Sequence, residues 1–522
     1  MMNPARRVAY GLVMFLLVVC SLTSVVIVTL DTGFSSGPNS LPGKSVSHDE
    51  RPQQLMRVAS GGDRGLPSDT ERITRSDYSG SDSDEIFDGK LANPDEMPEE
   101  VSDRRTDETF KPIPASASSN SQPASQANIS YDKGIVLCLH DGIVAMGVSL
   151  VRELRCLGNQ EVIQVYHCLN ELSEASRALL TRKDLRVQII DVCAEMMGKK
   201  LFNEKKAKSF QGYWIKPLAL YHTNLTEVLV LDADVIMMRD PAVIRTTSGY
   251  QRTGTMFFYD RVVRKRVNFN KLVRVSADTK TARQYLKIWI DRFPYQRFGL
   301  TKAQLSPHLR DSLSYREETC HEQDSSIVAI DKTRAGKAFD VLWYIMTEKR
   351  FRFMFSWGDK ESFWLSWEFS HTNYTFSPWA IAAVEAAHNR DFALHNTTLC
   401  GNMAHYLPEE DKKPELLYVN GKSMLEPYPK KQQFSEVFNY NPMHITPRQK
   451  RQIQPRAWPR QERQECLTGM GAVELPRIFH RRVMRRRIHA FALATGSYEW
   501  LDVCDDMLPS QNDDLANRKV HN

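Results

Sequence analysis

Residues 228–231 constrain the fold of this chain most, because four apolar residues lead directly into Asp232 and Asp234. A short, continuous apolar run of this kind is typical of a strand that is buried on both faces of a sheet. Alternate side chains share one face of a strand, so both carboxylates can leave its end in the same direction. They repel each other unless a cation lies between them, and hard oxygen ligands suit Mn²⁺ or Mg²⁺. The alternative is an ordinary turn, in which Asp favours the bend.

Strands and helices alternate in the sequence around this run. Strands are predicted at 134–139, 162–169, 185–192 and 228–232, and helices at 145–157, 173–181 and 215–222. The alternation predicts an α/β fold with a mostly parallel sheet covered by helices on both faces. Ligands of such sheets bind outside the carboxyl ends of the strands, where Asp232 and Asp234 are expected.

The pattern is mixed after residue 250. The sequence predicts further strands at 254–259, 326–331 and 416–420, one or two helices within 268–293, a helix at 359–369 and a mobile polar loop at 432–465. We therefore expect an α/β domain with a mixed, mostly parallel sheet flanked by helices over residues 131–508.

The N-terminal part of the chain has a different composition. Arg6 and Arg7 precede an uncharged apolar run at 8–30, which is long enough to span a bilayer. The basic flank predicts a cytosolic tail at 1–7 and a single-pass signal anchor at 8–30; a cleaved signal peptide, with an apolar region of about 7–15 residues, is the alternative. Residues 31–130, rich in Ser, Asp, Gly, Pro, Glu and Arg, predict a disordered stem, and 509–522 a disordered tail.

Cysteine usage and charge exclude some classes of function. Cys20 lies in the predicted anchor, which leaves eight of the nine cysteines, an even number that permits disulfides without fixing their pairing. The absence of any Cys-x-x-Cys pair argues against a zinc site. The net charge of +6 is mild, and its densest part, residues 481–487, predicts a solvated helix face. The alternative there is an anionic partner, and we expect no nucleic acid.

An ordered series of segments resembles the fungal-type Golgi α-mannosyltransferase family (glycosyltransferase family 71), a metal-dependent retaining group with a GT-A fold. The segments are Gly134-Ile135-Val136-Leu137-Cys138, Arg152-Glu153-Leu154, Gln211-Gly212-Tyr213-Trp214-Ile215-Lys216-Pro217, Val230-Leu231-Asp232-Ala233-Asp234, Asp240-Pro241, Gly254-Thr255-Met256-Phe257-Phe258-Tyr259-Asp260-Arg261, Gln323-Asp324-Ser325-Ser326-Ile327-Val328, Gly358-Asp359-Lys360-Glu361-Ser362-Phe363-Trp364 and Leu399-Cys400-Gly401. They lie between about residues 133 and 421, and the ordered series is more specific than any one segment.

The resemblance implies a GT-A type nucleotide-diphospho-sugar transferase that moves mannose from GDP-mannose to a glycan hydroxyl with Mn²⁺ or Mg²⁺. It also implies a type II Golgi membrane protein with a luminal catalytic domain. Asp234 is the first metal ligand that it implies, and Asp232 either completes the metal shell or binds the ribose. Asn420 lies where the family often has a His as third ligand, and His405 is the nearest histidine.

The resemblance also implies roles for residues around the donor and the acceptor. Lys216, Trp214 and Arg261 are expected to face the donor, although a solvated lysine, a core tryptophan and a strand-end ion pair are the alternatives. Asp359 is expected at the acceptor hydroxyl or the anomeric carbon, or else as a helix N-cap followed by Glu361. Gln323 and Asp324, which are expected just before a strand, would stabilise or attack the anomeric carbon from its β-face.

Three other functions are compatible with parts of the sequence. The same fold could use a UDP-sugar, glucose or galactose, because none of these residues reads the base. Asp-x-Asp after an apolar strand also occurs in phosphohydrolases of the haloacid dehalogenase type, but there it follows the first strand. A non-catalytic glycan-binding protein is the third, and the Asn at position 420 is the feature in its favour.

Overall fold

The computed structural model describes residues 130–274, 281–302, 305–385, 397–425, 442–453 and 466–504. The predicted tail (1–7), anchor (8–30) and C-terminal tail (509–522), the stem (31–130) apart from Ser130, and most of the loop at 432–465 lie outside these residues. Within the described ranges, no helix has the length and apolar character needed to cross a membrane. The predicted location, a single-pass Golgi membrane protein, is therefore wrong for the part of the chain that the structure describes.

The main sheet has six strands. They are β1 (Lys133–Cys138), β2 (Val162–His167), β3 (Val187–Asp191), β4 (Glu227–Leu231), β6 (Thr255–Tyr259) and β9 (Gln323–Asp331). Their order is β3-β2-β1-β4-β9-β6, in which β3, β2, β1 and β4 pair in parallel and β9 is antiparallel to both of its neighbours. The predicted α/β fold with a mixed, mostly parallel sheet is confirmed.

Helices cover both faces of the main sheet. Val136 and Val230 face one apolar cluster, whereas Ile135 and Leu229 face another, as the alternation of side chains along a strand requires. The α-helices are Val144–Cys156, Glu174–Thr181, Val192–Gly198, Glu204–Lys208, Ile215–His222, Ser248–Thr253, Tyr285–Arg292, Pro307–Asp311, Ala338–Thr347, Lys360–Phe369, Lys422–Leu425 and Arg477–Thr495. We call Val144–Cys156 the first helix and Arg477–Thr495 the C-terminal helix.

A second sheet is antiparallel throughout. Its strands are β5 (Val235–Met237), β10 (Ala382–Glu385), β11 (Leu399–Tyr406), β12 (Leu416–Asn420), β13 (His444–Ile445), β14 (Cys466–Leu467) and β15 (Val473–Glu474). The order is β15-β13-β10-β11-β12-β5, and β14 pairs with β11. The chain leaves the main sheet at the end of β4 and enters this sheet in β5. Residues 232–234 are therefore the junction between the two sheets.

Two regions differ from the prediction. Residues 268–293 contain a helix only at Tyr285–Arg292; before it lie a 3₁₀ turn at Asn268–Asn270 and a hairpin of β7 (Leu272–Arg274) and β8 (Ala282–Gln284). Strand β9 begins at Gln323, so Gln323 and Asp324 lie inside the strand and not before it. Polar side chains obscured the start of this strand because their partners come from distant elements.

The predicted solvated face at residues 481–487 is also wrong. Arg482, Arg485 and Arg486 are buried in the C-terminal helix, which packs against the first helix. The Glu153 carboxylate of the first helix is fully buried and lies 3.3 Å from both Arg482 Nη1 and Arg485 Nη1. The Glu153 carboxylate, which is distant in sequence, thus offsets the charge of arginines for which the local sequence predicted exposure to solvent.

Six of the eight described cysteines form three disulfides, Cys156–Cys504, Cys168–Cys193 and Cys400–Cys466, and Cys138 and Cys320 are free thiols. Cys156 ends the first helix, and Cys504 follows the C-terminal helix. This bond joins the two helices covalently across 348 residues.

Replacing both Cys156 and Cys504 with Ser should lower the free energy of unfolding by about 2–5 kcal/mol, because the unfolded chain gains the entropy of a long loop. Urea unfolding without reductant measures this. The matched control replaces Cys168 and Cys193, whose 25-residue separation predicts a smaller loss. Equal losses in the two double variants would contradict the loop-length argument.

Candidate active site

The turn of residues 232–234 lies at the carboxyl edge of the parallel strands. The Asp232 amide donates to the Ser326 carbonyl of β9 at 2.9 Å, and the Gly421 amide donates to the Asp234 carbonyl at 3.0 Å. One aspartate is therefore fixed to the main sheet and the other to the segment that follows β12. Binding sites of open α/β sheets form at this edge.

Lys216 lies between two acidic side chains. Its Nζ is 2.9 Å from Asp232 Oδ1 and 3.4 Å from Asp359 Oδ2. The same nitrogen donates to the backbone carbonyl and to the Oγ of Ser325, both at 3.0 Å. Only 6% of Lys216 is exposed, so the alternative of a solvated lysine is wrong. The structure thus brings Lys216, Asp232 and Asp359 into one cluster.

The cluster carries more negative than positive charge. Burial raises the pKa of Asp232 to about 7; Lys216 opposes this shift, whereas Asp234 and Asp359 add to it. Burial also raises the pKa of Asp234 and of Asp359. For Lys216, burial lowers the pKa, but Asp232 and Asp359 reverse this and leave it raised. The positive charge of one ammonium group therefore opposes the negative charge of three carboxylates, two of which lie beside it.

This excess of carboxylates fits a divalent cation that is shared with a substrate. Among the described residues, no group of three or more His, Cys, Asp or Glu side chains is arranged to hold a metal ion. Mg²⁺ is usually bound by one or two carboxylates together with substrate phosphates and waters. Asp232 and Asp234 can supply the carboxylate ligands of such a site. The residues present fit a metal that binds together with a diphosphate.

The third predicted metal ligand, Asn420, ends β12. It is paired with Val235, and the next residue, Gly421, holds the Asp234 carbonyl. Its backbone therefore lies beside the turn, and its role as a ligand stays a prediction. His405, the alternative, is 1% exposed, and its Nε2 lies 3.0 Å from Asp324 Oδ2.

Asp359 immediately precedes the helix Lys360–Phe369. It occupies the N-cap position with Glu361 in the first turn, as the alternative predicts, but its side chain makes no capping hydrogen bond to that helix. The carboxylate, 2% exposed, instead faces Lys216 and accepts a 3.4 Å hydrogen bond from Ser325 Oγ. Gly358 has φ +76°, and a Cβ there would lie 3.0 Å from the Tyr213 ring. A glycine is needed beside Asp359, and Tyr213, 72% exposed, lies over it.

Gln323 and Asp324 are fully enclosed in β9. Asp324 accepts hydrogen bonds from the Ser326 hydroxyl and amide and pairs with His405. Burial raises the pKa of Asp324, but the His405 hydrogen bond and charge lower it overall. Gln323 Oε1 accepts from the Trp364 amide at 3.2 Å, and its Nε2 is buried with no hydrogen-bond partner in the described part of the chain.

Two predicted donor-binding residues contact other parts of the protein. Arg261 Nη2 donates to the Gly401 carbonyl in β11 at 2.7 Å. Trp214 packs edge-on against Phe355, with the Arg350 guanidinium 4.7 Å from its ring. Neither of these contacts involves the Lys216 cluster, and the roles of Arg261 and Trp214 at the donor stay predictions.

Ser325 and Glu361 are parts of this region to which the sequence assigned no role at the donor or the acceptor. Ser325 contacts both Lys216 and Asp359, and its alternation with Gln323 along a buried strand was the available signal. Glu361 accepts from the Glu322 amide (2.9 Å), the Gln323 amide (3.3 Å) and Trp364 Nε1 (2.5 Å). It therefore fixes the start of β9 against the helix that follows Asp359.

Comparison with known proteins identifies the family. The protein-family model described as "Mannosyltransferase putative" matches residues 132–407, which include the whole Lys216 cluster. The chain belongs to this mannosyltransferase family. The resemblance that the ordered segments indicate is confirmed.

Curated relatives come from yeasts. The chain is 25% identical over 299 residues to "Probable alpha-1,3-mannosyltransferase MNT4" of Saccharomyces cerevisiae, covering 55% of this chain and 49% of that protein. It is 21% identical over 301 residues to "Alpha-1,3-mannosyltransferase MNT3" of the same yeast, covering 56% and 47%. The chain thus spans about half the length of these relatives.

Solved structures show weak similarity. One is the core-mannan synthase A (CmsA/Ktr4) of Aspergillus fumigatus in its Mn/GDP form, with 10% identity, a TM-score of 0.30, and coverage of 48% of this chain and 76% of that one. Another is the galactosyltransferase LgtC with donor and acceptor sugar analogues, with 15% identity, a TM-score of 0.27, and coverage of 47% and 73%.

Glu361 predicts a measurable pH dependence of stability. Burial raises the pKa of Glu361 from 4.5 to about 8. The stability that the protonated Glu361 contributes is therefore fully present below pH 4.5, the pKa of the unfolded state, and is lost as the pH rises toward 8. Glu361→Gln should therefore lose less stability than wild type between about pH 5 and pH 8, as measured by urea unfolding. Glu204→Gln, on an exposed helix face, is the control. Parallel pH profiles for wild type and Glu361→Gln would contradict the assignment.

Proposed function

We propose that the described domain is a metal-dependent, retaining glycosyltransferase of GT-A type that transfers mannose from GDP-mannose to a glycan hydroxyl. The observation that carries the proposal is the bridge from Asp232 through Lys216 to Asp359, beside Asp234, in a mannosyltransferase family member. The family supports the sugar, and the charge of the cluster supports a diphosphate donor bound with a cation.

The donor side of the site consists of Asp232, Asp234 and Lys216. Asp234 and Asp232 would hold Mn²⁺ or Mg²⁺, with Asn420 as the candidate third ligand. A bound cation would neutralise charge that develops on the departing diphosphate. Lys216 orients the Asp232 carboxylate, and its buried ammonium adds positive charge on the same side. Trp214 and Arg261 are assigned to the nucleotide and phosphate from the family resemblance.

The acceptor side is assigned to Asp359. Its Oδ2 is buried, lies 3.4 Å from Lys216 Nζ and has no hydrogen-bond partner within the described residues. A carboxylate in that state can orient an acceptor hydroxyl. Gln323 has an unpartnered buried amide nitrogen that can donate to the donor sugar. Asp324 already binds the side chains of Ser326 and His405. We therefore assign it to orienting those two side chains and not to attacking the sugar.

The donor proposal is tested by incubating the purified full-length chain and Mn²⁺ with GDP-mannose, UDP-glucose or UDP-galactose and a mannose-terminated oligosaccharide. We expect mannose transfer and GDP release that stop when the metal is chelated. Turnover of a UDP-sugar alone would overturn the mannose assignment. Phosphate release from an aryl phosphate without any sugar nucleotide would indicate a phosphohydrolase, and oligosaccharide binding without turnover of any donor would indicate a glycan-binding protein.

Asp234→Asn should reduce turnover at least about 100-fold, because several kcal/mol of charge stabilisation depend on the metal. The melting temperature without metal should stay equal or rise, since burial already disfavours the ionised carboxylate. Asp411→Asn, at an exposed position, is the control that should keep full activity. An active Asp234→Asn variant would contradict the metal site.

Asp359→Asn tests the acceptor side separately. It should reduce transfer to the oligosaccharide by at least about tenfold while the affinity for GDP with Mn²⁺ changes little, because Asp232 and Asp234 remain. Calorimetry with Mn²⁺ and GDP measures the second quantity. A variant that loses nucleotide affinity but keeps its maximal transfer rate would place Asp359 on the donor side instead.

A further inference from the structure

The C-terminal helix contacts the turn of residues 232–234 through Arg486. Arg486 Nη2 donates to the Ala233 carbonyl at 2.9 Å, and Nη1 donates to the Val235 carbonyl at 2.7 Å. The side chain is 1% exposed. These carbonyls belong to the residues before and after Asp234, so one planar guanidinium fixes the backbone on both sides of the predicted metal ligand.

Arg486 is itself held by the first helix. Its Nε donates to Ser149 Oγ at 2.7 Å, and Nη2 also donates to the Met146 carbonyl at 3.1 Å. Ser149 Oγ lies 3.1 Å from His489 Nδ1, one turn further along the C-terminal helix. All four groups that accept from Arg486 are neutral. A buried cation with no touching carboxylate is costly unless its hydrogen bonds are made, and here four of the five N–H groups of Arg486 donate to these acceptors.

The neighbouring arginines have a different role. Arg482 and Arg485 pair with Glu153, and the Cys156–Cys504 disulfide closes the same interface. These contacts join the two helices without touching the turn. Arg486 bonds both to the first helix and to the turn, which distinguishes it from Arg482 and Arg485.

We infer that Arg486 is a positioning residue that sets the geometry of Asp234 and hence the affinity of the site for a divalent cation with a nucleoside diphosphate. This inference rests on the proposed function, and it extends the site to a helix beyond the family match, which ends at residue 407. Arginine is required because its fork reaches two carbonyls at once. Lysine carries the same charge but cannot reproduce that geometry.

The test compares Arg486→Lys with Arg485→Lys in the full-length chain. Arg486→Lys should raise the Mn²⁺ concentration for half-maximal transfer at least about tenfold and weaken Mn²⁺–GDP binding in calorimetry by a similar factor. It should also speed amide hydrogen exchange in residues 229–237 of the metal-free protein. Arg485→Lys, at an equally buried position, should lower the melting temperature without changing the Mn²⁺ requirement.

Ser149→Ala gives a milder variant that removes one support of Arg486, and it should raise the Mn²⁺ requirement about two- to fivefold. It replaces Arg486→Lys as the test variant if Arg486→Lys does not fold.

The inference fails if Arg486→Lys, or in its absence Ser149→Ala, keeps the wild-type Mn²⁺ requirement, or if Arg485→Lys shifts it equally. Wild-type protein that binds Mn²⁺–GDP but transfers no sugar would refute the proposed function alone, because the binding and exchange readouts remain. Wild-type protein that binds no Mn²⁺ would refute both.

Discussion

The imbalance of charge around Lys216 is the constraint on which the rest of the site depends. Asp232 and Asp359 lie beside the buried Lys216 ammonium, and Asp234 follows in the same turn as Asp232. The pKa of each of the three carboxylates is raised, and burial is the largest cause of each shift. Such an arrangement costs folding free energy unless further positive charge arrives. The backbone holds these charged side chains in place: Asp232 and Asp234 are bonded to Ser326 and Gly421, and Lys216 and Asp359 lie at helix starts. A site built in this way favours a ligand that brings a cation.

The junction between the two sheets explains why the acidic pair lies where it does. Strand β4 ends in the parallel sheet and β5 begins in the antiparallel one, so the chain must bend at residues 232–234. The bend exposes backbone groups that need partners, and these come from Ser326, Gly421 and Arg486. The edge of the main sheet places Asp232 near Lys216, while pairing of β5 with β12 brings Asn420 beside Asp234.

Local sequence patterns predicted the main sheet and part of the site for a physical reason. Parallel strands buried on both faces are continuous apolar runs, so β1, β2 and β4 stand out in the sequence. Asp232 follows the end of a strand, and Lys216 and Asp359 lie at the starts of helices. The α/β topology brings these positions to one edge of the main sheet. The hairpin of β7 and β8 and the polar start of β9 were missed, because their stability comes from partners that the local sequence does not contain.

Arg486 shows the limit of such reading most clearly. A run of five arginines in seven residues has the composition of a solvated surface, but three of them are buried against Glu153, Ser149 and the carbonyls of residues 146, 233 and 235. Those partners lie more than 250 residues away along the chain. The chemistry of the acidic pair is thus local to one turn, but its geometry depends on both ends of the domain. The geometry of an acidic pair that is recognised from a short segment therefore depends on a distant helix that holds its backbone.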